Sequence, residues 1–544
     1  MKRVLIIGSG IAGLSCAVSC AELGMHAELV SPFPSERAQS VMAAGGINAV
    51  PEDRAEGDSV ACHIEDTLKG GAFLAGPQAV TGLCRGAADI LSYLEKIGTV
   101  FSLDEEGRPA RRAFGGQSFK RTYYCGSSTG KQIVSALVME ARRYEAAGMI
   151  RRRLWTYFHS ALIRDGVCCG AMLFDQRTGG LEAVLADALV MATGGQNALF
   201  GKTTGSTLCD GYAQGRLLMQ GVDLKNLEFV QFHPTTLETG HKRMLVSEAA
   251  RGEGGRLFYM DRGRRVYFME DKYGPRGNLM TRDLVSKEIF LSGKEVFLDL
   301  SFLDRKIIDQ RLPEVRDLCS KYRGIDIAKD PIPVAPSVHF FMGGIAVHLN
   351  HETKIRGLFA IGECASMYHG ANRLGGNSLL AALYSGGTAA REIAGRESTK
   401  AFPDFEKEVQ REEALLAGDR MTESRFPVMY IRDMAAETMQ KHFGIVRTEE
   451  DLKKGMEEME YYLYAAERIH YDRSVMPYYN YSLTGILTLA RASFRCALER
   501  KESRGAHCRS DFPDTDPSLC AATLISCRDG DFEVRLDRER SYES

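Results

Sequence analysis

The stretch "RVLIIGSGIAGLSCAVSCAELG", residues 3–24, decides the fold. Val4 to Ile7 is an unbroken apolar run, as in a strand buried on both faces, and Ala12 to Leu23 reads as helix. Between them Gly8, Gly10 and Gly13 stand in G-x-G-x-x-G spacing. Such glycines permit a tight turn, let backbone approach a pyrophosphate and let the helix pack against the strand. The helix amide end then faces the phosphates. "HAELV" (26–30) supplies the next strand. Lys2 and Arg3 ahead of apolar residues mimic an export signal, but the glycines fall where a phosphate loop needs them. The acid that usually ends the second strand is blurred. Glu28 comes early, and Ser31 holds the position expected to meet a ribose.

Working outward, "VMAAGGINAV" (41–50) is a small-residue segment, and a helical, partly charged region runs to about residue 100. Strand-like runs recur at "ALVMATGG" (188–195) and "GLFAIGEC" (357–364). Both end in glycine, as strands of a parallel sheet do when they bring backbone to a ligand. They place Gly194 and Gly195 at one strand end, and Gly362 and Glu363 at another. A cofactor crossing several strand ends needs such repeated contacts, which favours FAD over NAD. Between about 233 and 339 charge rises, and "RLFYMDRGRRVYF" predicts a hairpin about Arg262-Gly263. The sheet-like pattern then resumes, so this segment reads as an insertion. From about 400 the pattern turns to amphipathic helix, and the tail predicts a hairpin turning at Asp529-Gly530.

The bulk composition excludes several classes. The chain has 544 residues, enough for three or four domains at roughly 150 each. Its formal net charge of -2 gives no basis for nucleic-acid binding. Its 55 glycines are about a tenth of the chain, against a usual ~7%. The 14 cysteines form no CxxC pair and no metal-like spacing, which reads as free thiols in a reducing compartment. No metal site and no iron–sulfur cluster of the chain's own are expected. No apolar run reaches the ~18 residues of a membrane span.

"HGANRLGGNSLLAAL" (369–383) adds a histidine and an arginine to a helix start. Gly, Asn and Ser suit a helix N-terminus for local reasons alone. Together with "GSGIAGL", "AAGGINAV", "EFVQFHPTT", "SEAARGEGGRL", "HFFMGGI", "GLFAIGECA" and "RKESRGAH", the stretch resembles the flavoprotein subunit of succinate dehydrogenase and fumarate reductase, relatives of L-aspartate oxidase. These signatures span residues 1 to about 508.

The resemblance implies an α/β fold: an FAD-binding Rossmann-like domain (1–232 and 340–398), an inserted α+β capping domain (233–339), a helical domain (399–515) and a tail (516–544). It implies a C4-dicarboxylate site between the first two. There His233, Ser247, His339 and Arg373 hold the two carboxylates. Hydride passes at flavin N5, Arg282 donates the proton, and Glu248 and Arg251 restore it. The implied FAD contacts are Gly8, Gly10, Gly13, Ser31, Gln39, Ser40, Gly45, Gly46, Gly194, Gly195, Asp210, Glu363, Asn377, Ser378 and Leu379. An iron–sulfur partner subunit, with or without a membrane anchor, and a cytoplasmic chain peripheral to the membrane are implied as well.

Two positions depart from parts of the family. Covalent members carry a flavin-linking histidine in "RSH"; this chain reads "ERAQSV", with Gln39 there. A glutamine cannot make that bond, so noncovalent FAD is expected and the reading tilts toward fumarate reduction. L-Aspartate oxidase also binds FAD noncovalently, but it has a glutamate ahead of a Gly-Gly pair to meet the substrate amine. This chain has Phe114 in "RRAFGGQ". The alternative readings are an L-aspartate oxidase, a related flavin enzyme for another unsaturated acid, or a noncatalytic flavin module. The last is expected to have lost the site residues retained here.

Overall fold

The structure, a computed structural model, describes residues 1–54, 56–240, 242–398, 402–417, 427–467, 472, 474–528, 530–538 and 541–542. The opening segment folds as its pattern dictates: β1 (Arg3–Ile7), α1 (Ile11–Glu22) and β2 (His26–Ser31). With β3 (Ile150–Leu154), β4 (Ala188–Met191) and β5 (Leu358–Ala360) they build a parallel sheet ordered β5-β4-β1-β2-β3. The strand order reverses about β1, so a crevice opens at its carboxyl end, where open α/β sheets bind ligands. Helix α1 is buried along nearly its whole length. It packs against α2 (Thr129–Ala146) and α3 (Asn377–Gly395). Hence its sequence lacks a polar stripe.

The segment between β4 and β5 carries the cap. Its antiparallel sheet is ordered Arg243–Leu245, Val230–Glu238, Ile332–Phe341, Val296–Asp299, Arg256–Asp261, Arg264–Val266. The cap has a hydrophobic cluster of its own, including Leu257, Val285, Ile289 and Leu298. The hairpin about Arg262-Gly263 forms as expected, both residues having positive φ. The expected boundaries at 232/233 and 339/340 fall inside two paired strands, Val230–Glu238 and Ile332–Phe341. The two domains share this strand pair, so the edge falls within continuous pairing and not at a linker.

Helices Val428–His442, Glu449–Ala466 and Pro477–Glu499 pack on one another. The tail hairpin forms from Ala522–Arg528 and Asp531–Asp537, and its first strand pairs with Leu224–Lys225 of the flavin domain. Asp529, expected in its turn, lies outside the described residues. Among those residues no helix is long and apolar enough to cross a membrane.

Candidate active site

A cavity opens along the carboxyl ends of β1, β2, β4 and β5. Gly8 adopts φ +114°, and a Cβ there would overlap the Ala192 carbonyl. Ser40 Oγ accepts the Ile11 N–H at 3.2 Å at the start of α1. Arg112 donates to the Ala44 carbonyl (2.7 Å) and the Gly45 carbonyl (3.0 Å), which fixes the small-residue loop. Ser31, Gln39, Ser40, Gly45, Gly46, Gly194, Glu363, Ser378 and Leu379 line the same cavity. Gln39 Oε1 is buried with no hydrogen-bond partner among the described residues. An elongated cavity with a glycine turn, a helix amide end and an orphaned buried acceptor fits a dinucleotide.

Of the residues expected to contact the cofactor, Gly13, Gly195 and Asn377 do not line the cavity, and Asp210 does. Gly13 lies behind the turn, where a Cβ would overlap the Gly8 carbonyl oxygen; it sets the α1–β1 packing distance. A Cβ on Gly195 would come within 2.7 Å of Glu363 Oε1 and the Phe341 ring, so Gly195 makes room for those side chains. Asn377 is fully buried beneath the start of α3, bonded to Asn48 (2.7 Å), His63 (3.0 Å) and Thr67 (2.9 Å). Asp210 touches the cavity, but its carboxylate is occupied: Oδ1 accepts the Tyr212 N–H, and Oδ2 accepts Arg432 (2.9 Å) and Tyr478 (2.7 Å).

His233, Ser247, Glu248, Arg282, His339, Arg373 and Phe114 all line the cavity. His233 comes from the cap strand Val230–Glu238 and His339 from its partner Ile332–Phe341. The two rings meet edge to face with centroids 5.2 Å apart. His233 Nδ1 faces the Thr235 carbonyl (3.1 Å) and His339 Nδ1 the Thr204 hydroxyl (2.8 Å). Burial, then the charge of Arg282, pushes both imidazoles well below their usual pKa. Both rings are therefore neutral at pH 7.

Arg282 opens the helix Arg282–Ser292 and donates from Nε to Glu248 Oε2 (2.8 Å) and from Nη1 to Gln231 Oε1 (3.2 Å). Glu248 Oε1 accepts the Gly115 N–H at 2.7 Å and lies 3.7 Å from Arg251 Nη2. Burial alone would raise the Glu248 carboxyl, but Arg282, Arg251 and the Gly115 amide outweigh it and hold it at about 2. Arg251 is fully buried behind Glu248 and does not line the cavity.

Arg373 is 4% exposed, lies 4.3 Å from the Phe340 ring centre and has no carboxylate partner among the described residues. Its Nε is buried and unbonded. Burial, then Arg282, drives its pKa well below the usual arginine value. An unpaired buried guanidinium is costly, and an anion entering the cavity offsets that cost. Phe114 is packed under the Gly375 turn, where a Cβ would lie 2.9 Å from its ring.

Three supporting residues were not anticipated. Gln231 Nε2 donates to Asn372 Oδ1 and to the Arg373 carbonyl, both at 2.8 Å, while its Oε1 accepts from Arg282. It ties the cap side that carries Arg282 to the loop that carries Arg373. The signal was there: Gln231 precedes His233 by two in a strand, and such residues share a face. Gly505 and Ala506, in "RKESRGAH", brace the same loop: the Ala506 N–H donates to the Ala371 carbonyl at 2.9 Å. Nothing in sequence spacing links residue 506 to 371.

Comparison with known proteins agrees with this geometry. The family model described as "FAD binding domain" matches residues 3–379, and "Fumarate reductase flavoprotein C-term" matches 432–541. Fold, cavity and family together define an FAD-dependent oxidoreductase. The succinate dehydrogenase flavoprotein subunit of Bacillus subtilis is 35% identical, covering 96% of this chain and 94% of that protein. The fumarate reductase flavoprotein subunit of Mycobacterium tuberculosis is 33% identical, with 98% and 96% covered. A solved E. coli quinol fumarate reductase with a mutated FrdA superposes with TM-score 0.89 at 29% identity, covering 98% of this chain and 97% of that one. The chain belongs to the succinate dehydrogenase/fumarate reductase flavoprotein family.

Proposed function

We propose that this chain interconverts fumarate and succinate, with fumarate reduction the favoured direction. The observation that carries the reading is Arg373, a buried guanidinium without a carboxylate partner, facing a cavity that also holds Arg282 and two neutral histidines. Arg373 takes one substrate carboxylate, with His339 beside it; His233 and the Ser247 hydroxyl take the other. Clamping both ends fixes the central carbons against the cofactor and against Arg282. FAD, when bound, supplies hydride acceptance and donation. Arg282 delivers the proton to the substrate carbon; Glu248, ionised at neutral pH and bonded to Arg282, orients the guanidinium and passes a proton back to it. Arg251, packed behind Glu248, completes the return path.

The two electrons must enter from outside the chain, and family membership supports an iron–sulfur subunit as their source, with the chain on the cytoplasmic side of a membrane-attached assembly. L-Aspartate oxidation is the second reading, and Phe114 argues against it. A phenyl ring where a carboxylate is needed leaves the substrate ammonium unpaired. Its desolvation exceeds the ~0.5–2 kcal/mol that a cation–π contact returns.

Arg282→Gln tests the proton assignment. The variant keeps its FAD and its reduction by dithionite but loses at least about 10²-fold in fumarate turnover, the usual weight of a general acid. Turnover near wild type removes Arg282 from the mechanism.

A further inference from the structure

The cluster around Arg282 and Arg373 lines the cavity from the cap and the β5 side; beyond the opposite edge strand, β3, the lining has a different chemistry. There Tyr157, just past β3, stacks on Tyr478 with ring centroids 4.3 Å apart and planes at 27°. Tyr478 and Tyr479 belong to the helix Pro477–Glu499 of the helical domain, yet both line the cofactor cavity together with Thr156, Tyr157 and Phe158. The position of Tyr478 is fixed by its bond to Asp210 Oδ2 (2.7 Å). Arg432, from the helix Val428–His442, grips the same oxygen at 2.9 Å and lies 5.0 Å from the Tyr479 ring centre. Two helices of the helical domain thus converge on one carboxylate of the flavin domain at the cavity wall.

The glycine turn at Gly8–Gly13 holds the pyrophosphate, which lies between the two halves of a dinucleotide. The redox half must reach the Arg282–Arg373 end, because the substrate binds there. The adenosine half must therefore run the other way, past the end of β2, to the tyrosines. Aromatic faces suit a purine, and base–aromatic contacts are sequence-tolerant and strong. We propose that Tyr478 and Tyr479 close the adenosine end of the FAD site. The Asp210–Arg432–Tyr478 contact then latches the helical domain to the bound cofactor. The flavin domain alone does not complete the site.

The test compares the whole cofactor with its halves on the apo full-length chain. FAD, ADP (the adenosine with the pyrophosphate) and FMN (the flavin half) are titrated into wild type and Tyr478→Ala. The expected result is FAD and ADP affinities weakened about tenfold or more, with FMN affinity unchanged. An equal loss for FMN would mean general damage and overturns the proposal, as does no loss for FAD. Hydrogen exchange on the wild-type chain gives a reading that needs no variant. ADP should slow exchange at residues 477–482, and FMN should not. Exchange there that ADP leaves unaltered overturns the latch even if Tyr478→Ala fails to fold.

Discussion

Glu363 ends the strand run "GLFAIGEC" on the cavity wall and accepts the Phe341 N–H at 3.2 Å. Burial pushes its carboxyl up to about 7, with the Phe341 amide and Arg373 opposing. The unfolded value is ~4.3, so the folded chain holds the extra proton between those limits. The stability this group contributes is fully present below pH ~4.3 and is lost as pH rises through about 7. FAD-free wild type should therefore lose Tm between pH 5 and 7.5 more steeply than Glu363→Gln, which keeps the acceptor oxygen without the titration. Parallel curves for the two proteins remove Glu363 from the pH response. Glu248 works in the opposite sense: its lowered carboxyl contributes stability above the unfolded value, which is lost only as pH falls toward about 2. At this scale His233, Glu248, His339 and Arg373 were legible as candidates because each sits inside a long motif, whereas Arg282 was named only through what the resemblance implies. Asn377 also sits in a motif and Asp210 was named through the resemblance alone, but neither source says which way a side chain turns. Both turn to protein partners, and those partners lie far off in sequence.

The strand-turn-helix at the N-terminus was readable to within a residue at each end, because its periodicity and its glycines agree. The start of α3 was readable as a helix N-terminus, and Gly376 there takes φ +86°. The arm at 500–509 could not be assigned an element role from spacing. It follows a helix, and its partners are the loop 369–373 and Glu228. Gly505 sits at φ +52°, and a Cβ there would lie 2.6 Å from the Ala371 carbonyl oxygen. Gly505→Ala should therefore lift the loop that carries Arg373. The expected outcome is a fumarate KM raised about tenfold, with FAD content retained and stability lowered by ~1–2 kcal/mol. A fall in kcat at unchanged KM would contradict a positioning role for the arm.

At the scale of the whole molecule, the sequence reading recovered the order of parts: flavin domain, insertion, helical domain, hairpin. It missed how the parts interlock. The insertion begins and ends within one pair of strands, the tail hairpin joins a flavin-domain strand, and helical-domain tyrosines enter the cofactor cavity. These pairings join residues hundreds of positions apart, and local pattern does not encode them. Gln39 lines the cavity where covalent relatives carry histidine, so acid denaturation should release all the yellow colour; colour left on the precipitated chain would reveal another attachment. The proposed substrate is a dianion that carries no amine. That proposal is tested most directly by giving the purified, FAD-loaded chain its two candidate substrates in parallel: fumarate with a reduced viologen dye under anaerobic conditions, and L-aspartate in air with peroxide detection. The account predicts succinate formation from fumarate with little or no peroxide from aspartate. Aspartate turned over faster than fumarate would contradict it.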